Sequence, residues 1–495
     1  MRSSLHCKAM IILLVMIICA ATIGCGSGLV KSTSSNSSPL STALQLTPST
    51  AVVQLGSTIH FDVSADSGTI VDSHCSWNSG NAELLLSEGN GTYIGKDWGS
   101  TTVSATCHGQ TASALVSVTL PANPMAIRIT TSGTYIGNWS SVDPKVPAVT
   151  VLTNEPVVLR NSTISGRGDL IVVYGGQKGA DVTVDNVTGT ALEPGVAGQG
   201  RGKFLDAQVM SRLSVTHCTM HGVSFGIYIV SSKLESLNLR DNIADNLEDR
   251  KSDGNGGFLL DQRVLGHFIQ FNSVAMPNGG EVAWNQMINS DGVASVEDII
   301  SFFQSQGSSE KHVLVHDNYL QGAFATGLTT PYTGGGMQMD GGSNDPATAT
   351  GFVQIENNTV VHLAGFGIAI AAGHDISVIG NRIVSCGKDS SGNWISMFGE
   401  SALVMWNYYQ TNQYFNNYMA NNSGGLVTPD ANGNPSAGGV AAPSASASLN
   451  NVIGANSFEQ PCFAGSNPNL TAESLEWASW LNKVALSGES LGDQH

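Results

Sequence analysis

The chain has 495 residues, of which 57 are glycine and only 12% are charged. This length allows two or three domains, and the scarcity of charged residues beside many turn-forming and β-branched residues predicts an all-β protein. The formal net charge of −17 excludes a nucleic-acid partner, because binding to a phosphate backbone requires a concentrated basic surface.

The N-terminus has the form of an export signal. Arg2 and Lys8 supply positive charge, and the apolar run 9–18 is too short to span a bilayer comfortably. The following letters TIGC, ending at Cys25, resemble the processing site of bacterial lipoproteins. The resemblance implies that residues 1–24 are removed and that Cys25 is acylated, which anchors the protein at the cell envelope, at the outer membrane, by its lipid alone. The alternative is an ordinary secretory signal and an extracellular protein.

Two segments follow before the main body of the chain. Residues 25–43 are rich in serine and predict an extended tether. From 44 to 120 short alternating strands predict a small β-sandwich, and Trp77 close to Cys75, with the run GSTTVSAT, resembles bacterial Ig-like domains of the Big2 type. The resemblance implies a spacer or a weak adhesion domain. Export makes a disulfide between Cys75 and Cys107 chemically reasonable.

Beyond residue 124 a short strand with the pattern apolar-x-x-Asn-x-apolar recurs. Copies begin at Val158, Val184, Val215, Leu239, Val282, Val315, Ile355, Val378, Tyr414 and Ile453. The fourth position holds Asn242, Asn285, Asn318, Asn358, Asn381, Asn417 and Asn456, with Cys218 in an earlier copy. Coils stacked about 4.8 Å apart would let each buried amide bond to its copies above and below. We therefore interpret these asparagines as a structural ladder and Cys218 as a buried substitute.

A second recurring strand alternates apolar and polar residues. Its copies include IVVY, IYIV, IQFN, ISFF, MQMD, IAIA and LVMW. Two strand families per coil, repeated along one axis, predict a parallel β-helix. The pattern over 125–465 resembles the right-handed parallel β-helix superfamily of pectate-lyase-like, C5-epimerase-like and NosD-type proteins. The fold class expected is thus all-β, with a β-helix solenoid preceded by a small Ig-like β-sandwich.

The C-terminal segment 466–495 has a helical pattern that begins near Thr471. An apolar stripe is formed by Leu475, Trp480, Leu481 and Val484. We expect this helix to cap the open end of the solenoid, which would otherwise expose an unpaired edge.

The outward positions of the second strand family indicate a binding face. Alternation places Gln270, Ser301 and Gln338 in a row on central coils, with His267 and Trp406 nearby. Amides and aromatic rings suit a neutral or weakly charged glycan, so these five residues are the predicted substrate-binding set. A solvated polar strand face is an equally good interpretation.

Acidic residues cluster on the same central coils. Glu297, Asp298 and Asp340 are the candidate catalytic residues. Glu281 is expected on or beside one of the same central coils. A glycoside hydrolase needs two carboxyl groups across a groove, about 5.5 to 9.5 Å apart, and stacked coils can supply such distances. The adjacent pair Glu297 and Asp298 could instead cap a turn or bind a cation.

Metal chemistry has little support in the sequence. Cys218, Cys386 and Cys462 remain as an odd set, and their spacing matches no zinc site. The oxygen-rich turns at 340–345 and 430–434 leave Ca²⁺ as a possible cofactor, although neither completes an EF-hand loop. No metal ligand is assigned.

The sequence favours a surface protein that acts on an extracellular polysaccharide, as a glycoside hydrolase or related enzyme, and as a monomer. A non-catalytic glycan-binding or adhesin-like lipoprotein is the first alternative. A polysaccharide lyase or epimerase is the second: 297–305 faintly resembles the E-x-I-S-x-K-S motif of β-helix lyases, but Gln304 stands nearest to the catalytic lysine and cannot act as a base.

Overall fold

The structure is a computed structural model, and it describes residues 43–65, 75–82, 84–97, 99–119, 125–292, 294–324, 333–396, 400–442, 449–459, 461–464, 467–468 and 470–494. The predicted signal peptide 1–24, the acylation site Cys25 and nearly all of the tether lie outside the described residues.

In the described part of 43–119, nine strands form a small N-terminal β-domain. They are β1 Leu44–Thr47, β2 Thr50–Gln54, β3 Thr58–His60, β4 Asp62–Ala65, β5 Ser76–Ser79, β6 Leu85–Gly89, β7 Thr92–Gly95, β8 Gly99–Cys107 and β9 Gln110–Thr119. A four-stranded sheet, β2-β9-β8-β5, and a three-stranded sheet, β3-β7-β6, share a core that includes Phe61, Tyr93 and Val116. A disulfide joins Cys75 to Cys107 within this domain.

The remaining strands build the solenoid. The first half contains β10 Ile127–Ile129, β11 Gly133–Tyr135, β12 Asn138–Ser141, β13 Val149–Val151, β14 Val157–Gly166, β15 Ile171–Tyr174, β16 Ala180–Ala191, β17 Leu205–Gln208, β18 Met210–Thr216, β19 Thr219–His221, β20 Ile227–Lys233, β21 Ser236–Arg240, β22 Ile243–Asp245, β23 Arg250–Ser252, β24 Phe258–Arg263, β25 Ile269–Ala275, β26 Gly280–Ala283 and β27 Gln286–Ile288.

The second half contains β28 Asp298–Phe303, β29 Val313–His316, β30 Tyr319–Ala323, β31 Gly335–Asp340, β32 Gly351–Glu356, β33 Thr359–Leu363, β34 Ile368–Ile370, β35 His374–Ile379, β36 Arg382–Ser385, β37 Leu403–Met405, β38 Tyr418–Ala420, β39 Ser423–Pro429, β40 Pro435–Gly438, β41 Val440–Ala441, β42 Val452–Ile453, β43 Phe463–Ala464 and β44 Asn467–Pro468, followed by the helix α1 Thr471–Ser487.

The solenoid is a parallel β-helix with three faces, one more than the two strand families predicted. The first face is an 11-stranded sheet in the order β10-β13-β15-β17-β20-β25-β28-β31-β34-β37-β41. The second and third faces belong to one 20-stranded sheet, because β14 and β16 each continue from one face to the next. Each copy of the first predicted repeat contains the end of a second-face strand and the start of a third-face strand, such as β30 or β33.

A bend between the second and third faces is repeated in successive coils. The residue before each ladder position from Cys218 to Asn422 has positive φ, at His217, Asp241, Trp284, Asp317, Asn357, Gly380 and Asn421. This left-handed residue turns the chain. The next side chain points inward, where each asparagine amide donates to the amide oxygen of the following coil at 2.8–3.0 Å. The same oxygens accept a backbone N–H, so the buried amides are satisfied.

The ladder runs through Asn242, Asn285, Asn318, Asn358, Asn381, Asn422 and Asn456, and the backbone N–H of Cys218 joins its first amide. The prediction for Asn417 was wrong by five residues. Val378 pairs with Met419, so Asn422 and not Asn417 lies beside Asn381. Asn417 is buried in a separate short column, where its backbone N–H donates to Asn451.

The helix α1 is present where the sequence predicts it, but it lies along the third face and does not cover the end of the solenoid. Trp480 packs with Tyr319 and Val361, and its indole N–H donates to Gln286 at 3.0 Å. The predicted stripe members Leu475 and Leu481 are 61% and 49% exposed. The buried helix positions are Ala472, Glu476 and Trp480. Within the described residues no helix is long and apolar enough to cross a membrane.

A second disulfide, which the sequence analysis did not assign, connects the solenoid to the segment before α1. It joins Cys386 to Cys462, which are 76 residues apart in sequence. Cys218 is the free cysteine of the described residues and is fully buried. Burial raises the pKa of its thiol, which agrees with an unreactive packing role.

An imidazole clamps the first turn of α1 to the solenoid. His362 lies 2.6 Å from a carboxylate oxygen of Asp291 through Nε2 and 2.7 Å from Glu473 through Nδ1. Burial opposes its charge, but the hydrogen bonds to Asp291 and Glu473 prevail and raise the pKa of His362 to about 9. The doubly protonated ring therefore holds two carboxylates at neutral pH.

This clamp makes stability depend on pH. A histidine whose pKa rises on folding contributes stability that is complete below its unfolded value near 6.5 and is lost as the pH rises through about 9. We expect a loss on the order of 3 kcal/mol between pH 6 and pH 10, measured by denaturant unfolding monitored by tryptophan fluorescence. His362→Gln should remove this loss and the exposed His60→Gln should retain it. An equal pH dependence in wild type and His362→Gln would contradict the assignment.

Candidate functional site

A groove runs along the first face of the solenoid. Its floor is a column of outward side chains in register, Asp206, Tyr228, Gln270, Ser301, Gln338, Ala369, Val404 and Ala441. Alternation along each strand puts these residues outside while their neighbours enter the core. From β17 to β37 the column covers six strand-to-strand steps, about 29 Å at the spacing of a β-sheet.

Two adjoining cavities occupy the groove. The upstream cavity, on the earlier coils, has a volume of about 480 Å³ and is lined by Lys203, Phe225, Tyr228, Val264, Leu265, His267, Gln270, Asn272, Glu297, Asp298, Ser301, Phe303 and Asp340. The downstream cavity, on the later coils, has about 520 Å³ and is lined by Glu297, Gln338, Asp340, Phe366, Ala369, Ala371, Glu400, Val404, Tyr408 and Tyr409. Glu297 and Asp340 border both, so they lie at the centre of the groove.

Glu297, Asp298 and His267 form a buried cluster at this centre. Nε2 of His267 lies 3.5 Å from an oxygen of Glu297 and 3.9 Å from an oxygen of Asp298. His267 and Asp298 are 1% and 3% exposed. The strand β28 begins at Asp298, so its first residue and the preceding Glu297 are placed where the chain enters the first face.

Burial shifts the pKa values of all three residues in this cluster. Burial, followed by the charges of Asp340 and Asp249, raises the pKa of Glu297 to about 7, against the opposing effect of Arg263. Burial and the charges of Glu297 and Asp340 raise the pKa of Asp298 well above its ordinary value. Burial lowers the pKa of His267 to about 3, so its ring is neutral. A carboxyl group that is protonated near pH 7 can serve as a proton donor.

Asp340 has a different environment at the end of β31. Its carboxylate accepts a hydrogen bond of 2.5 Å from the hydroxyl of Tyr409. Burial and this carboxylate raise the pKa of Tyr409, so the phenol remains a donor. The loop that carries Tyr409 packs on Gly342, where a Cβ atom would lie 2.3 Å from Cβ of Tyr409.

The structure brings the predicted site residues together with few exceptions. Glu297, Asp298, Asp340, His267, Gln270, Ser301 and Gln338 all border the groove. Trp406 does not line either cavity. It is 44% exposed and stacks on Tyr408, with ring centroids 5.1 Å apart. Glu281 is not part of the groove, because it lies on the second face and pairs with Arg240 at 2.9 Å and His316 at 3.0 Å.

Several groove residues were missed in the sequence analysis. Glu400, Tyr408 and Tyr409 come from segments that interrupt the repeat, and Lys203 and Phe225 precede their strands. The alternation of inward and outward side chains along a strand does not predict the orientation of residues outside the strands. The length of the insertion could have indicated Glu400. Residues 386–402 place far more chain between β36 and β37 than a turn requires, and insertions in solenoids tend to form groove walls.

The oxygen-rich turns are occupied by local hydrogen bonds. Oδ1 of Asp430 accepts the backbone N–H groups of Asn432 and Asn434, both at 2.8 Å. Oδ1 of Asp345 accepts the backbone N–H of Ala347 at 2.9 Å. These are Asx turns. Across the described ranges, no group of three or more histidine, cysteine or acidic side chains is arranged to hold a metal ion.

Comparison of the sequence with models of known protein families and with curated proteins finds no match. The function of the protein is therefore inferred from the groove itself.

The pKa of Glu297 yields a test of the site that needs no substrate. A glutamate whose pKa rises to about 7 on folding contributes stability that is present below 4.5 and is lost as the pH rises through about 7. Glu297→Gln cannot ionise. The difference in free energy of unfolding between Glu297→Gln and wild type should therefore shift in favour of the variant by on the order of 3 kcal/mol from pH 4 to pH 8. Denaturant titrations at both pH values measure this gain, with the exposed Glu310→Gln as matched control. No gain for Glu297→Gln would show that Glu297 is not desolvated.

Proposed function

We propose that this protein is a glycoside hydrolase that cleaves an extracellular polysaccharide of neutral or weak charge. One observation carries the proposal: the central pair in the groove combines a glutamic acid with a raised pKa, Glu297, and an aspartate hydrogen-bonded by Tyr409, Asp340. A carboxyl group with a raised pKa that shares a groove with a second carboxyl group is what hydrolysis of a glycosidic bond requires.

The two residues have complementary roles in this proposal. Glu297 donates its proton to the leaving glycosidic oxygen, and Asp340 acts on the opposite side, as a base on water or as a nucleophile. Asp298 and His267 do not need to touch the substrate. They lie against the carboxyl group of Glu297 and help to bury it, and burial is the largest cause of its raised pKa.

The shape and chemistry of the groove support a polymeric substrate. The groove has space on both sides of Glu297 and Asp340, so sugar residues can bind before and after the cleaved bond. Gln270, Asn272 and Ser301 offer hydrogen bonds to hydroxyl groups, and Tyr228 offers an aromatic ring. The concentration of carboxyl groups disfavours a polyanion, because like charges would repel.

A lyase or epimerase reaction is less well supported. Such a reaction needs a base that removes a carbon-bound proton. Lys203 is the cationic side chain among the described lining residues, and it lies 2.9 Å from Asp206 and 3.6 Å from Asp169. Although burial works against its charge, these two carboxylates raise the pKa of Lys203. Its amine therefore stays protonated and is unsuited to act as a base.

The N-terminal part fits the same proposal. Acylation at Cys25, the tether 25–43 and a Big2-type spacer at 44–120 would hold the solenoid away from the cell envelope, where it can reach polymer chains. The solenoid itself is proposed to be a right-handed, pectate-lyase-like β-helix. A non-catalytic glycan-binding surface protein would use the same arrangement, and the experiment below distinguishes the two.

The experiment is incubation of the purified protein with a panel of neutral and acidic polysaccharides, with reducing ends as readout. We expect the wild type to release reducing ends from a neutral or acetylated polymer. Glu297→Gln and Asp340→Asn should each lower kcat by about 10³-fold or more, because each loses an acid or base function of the transition state. Activity of the wild type should fall above pH 7 as Glu297 loses its proton.

Two controls sharpen the result. Glu281→Gln, on the second face, should retain activity, since its partners are Arg240 and His316. Binding of a polymer without release of reducing ends by the wild type would identify a binding protein and contradict the hydrolase proposal. Full activity of Asp340→Asn would contradict the assigned pair.

A further inference from the structure

The floor of the groove changes its polarity between two neighbouring coils. Up to β31 the outward residues in register are polar, Tyr228, Gln270, Ser301 and Gln338, and Gln338 already lines the downstream cavity. The next positions of the same column are Ala369, Val404 and Ala441. The change occurs from β31 to β34, directly beside the coil that carries Asp340. The two halves of the groove therefore offer different chemistry to a bound chain.

The downstream cavity combines an apolar floor with aromatic walls. Ala369 and Val404 pack with Phe366 in an apolar cluster outside the main core of the solenoid. Ala371 continues this floor, and Tyr408 and Tyr409 stand at the wall. A hydroxyl group pointed at the side chains of Ala369 and Val404 would lose its hydrogen bonds to water and gain none from these two residues, at a cost in free energy. A methyl group in the same place gains from leaving water.

We propose that the downstream cavity binds a sugar residue that carries a methyl-terminated substituent, either an acetyl group or the C6 methyl of a 6-deoxy sugar. The inference rests on the proposed function, because it takes the groove to be a glycan site. The upstream half, with its amides and hydroxyl groups, binds a sugar rich in hydroxyl groups. The substrate is then a heteropolysaccharide in which the two kinds of residue are adjacent at the cleaved bond.

Glu400 favours the acetyl form of this substituent. It lines the cavity together with Val404 and Tyr408. Burial raises the pKa of Glu400 to about 7, so its carboxyl group is mainly protonated below that pH. A protonated carboxyl donates a hydrogen bond to a carbonyl oxygen, and an acetyl group presents such an oxygen next to its methyl group.

Ligand-detected NMR on the full-length protein tests this inference with three simple probes. They are the methyl glycosides of glucose, N-acetylglucosamine and rhamnose, which differ in carrying no substituent methyl, an acetamido methyl or a C6 methyl. We expect the substituent methyl protons to receive the strongest saturation from the protein. The better methyl-bearing probe should bind about tenfold more tightly than methyl glucoside. Tighter binding of the acetamido probe would identify acetyl as the substituent, and tighter binding of the rhamnoside a 6-deoxy sugar.

Variants locate the binding to the downstream cavity. Val404→Thr keeps the volume and adds a hydroxyl group, so it should remove most of the tenfold preference while the protein stays folded. Val52→Thr makes the same change at a site in the small domain that is 71% exposed and should retain the preference. Ala369→Leu fills the floor and should weaken binding of both methyl-bearing probes.

Equal affinity for the three probes would overturn the inference. A preference that survives both Val404→Thr and Ala369→Leu would overturn it as well. The measurement reads binding and not bond cleavage. A wild-type protein that prefers methyl-bearing sugars but releases no product from any polymer would therefore refute the hydrolase proposal and leave this binding preference standing.

Discussion

The stacking of coils through the asparagine ladder is the constraint on which the rest of the structure depends. An amide at Asn318 donates to Asn358 and accepts from Asn285, which are 40 and 33 residues away in sequence. Each buried amide is satisfied only if the neighbouring coils are in register. The ladder thus fixes the phase of successive coils, and the same phase aligns Gln270, Ser301 and Gln338 on the first face.

The same register holds three carboxyl groups close together in the groove. Glu297 and Asp298 are adjacent and desolvated, and Asp340 comes from the next coil. Such an arrangement costs stability, and the regular stack of apolar coils behind it offsets that cost. Ion pairs between α1 and the solenoid, such as the one between Glu476 and Arg382 at 2.6 Å, lie on the third face, away from the groove. Stability and chemistry are therefore distributed over different faces of one solenoid.

The sequence predicted what depends on local periodicity. Alternation was enough to place Gln270, Ser301 and Gln338 in one row, and recurring asparagines were enough to predict the stack. The prediction of the ladder was wrong at 416–422, where asparagines occur as two adjacent pairs. The repeat pattern fits both Asn417 and Asn422, and only the pairing with the neighbouring coil distinguishes them. The repeat pattern also did not predict the third face. One copy of the repeat contains parts of two strands, and the left-handed residue that bends the chain between them leaves no mark in the pattern.

What the sequence could not show depends on contacts between distant segments. Glu400 and Tyr409 reach the groove from an excursion and a loop without periodicity. The position of α1 follows from the fit of Trp480 between third-face side chains, and the bond between Cys386 and Cys462 follows from where the chain returns after its last coil. An amphipathic pattern identifies a helix, but it does not say which surface the helix will cover.

The central claim is that the first face, between β25 and β37, is the surface that binds the glycan. Hydrogen–deuterium exchange with and without the polysaccharide that gives the largest response in the panel tests it most directly. The account predicts slower exchange in 264–272, 297–304, 338–342 and 400–410, with no change on the third face at β30, β33 and α1. Protection confined to the third face or to the small N-terminal domain, with the groove unaffected, would contradict it.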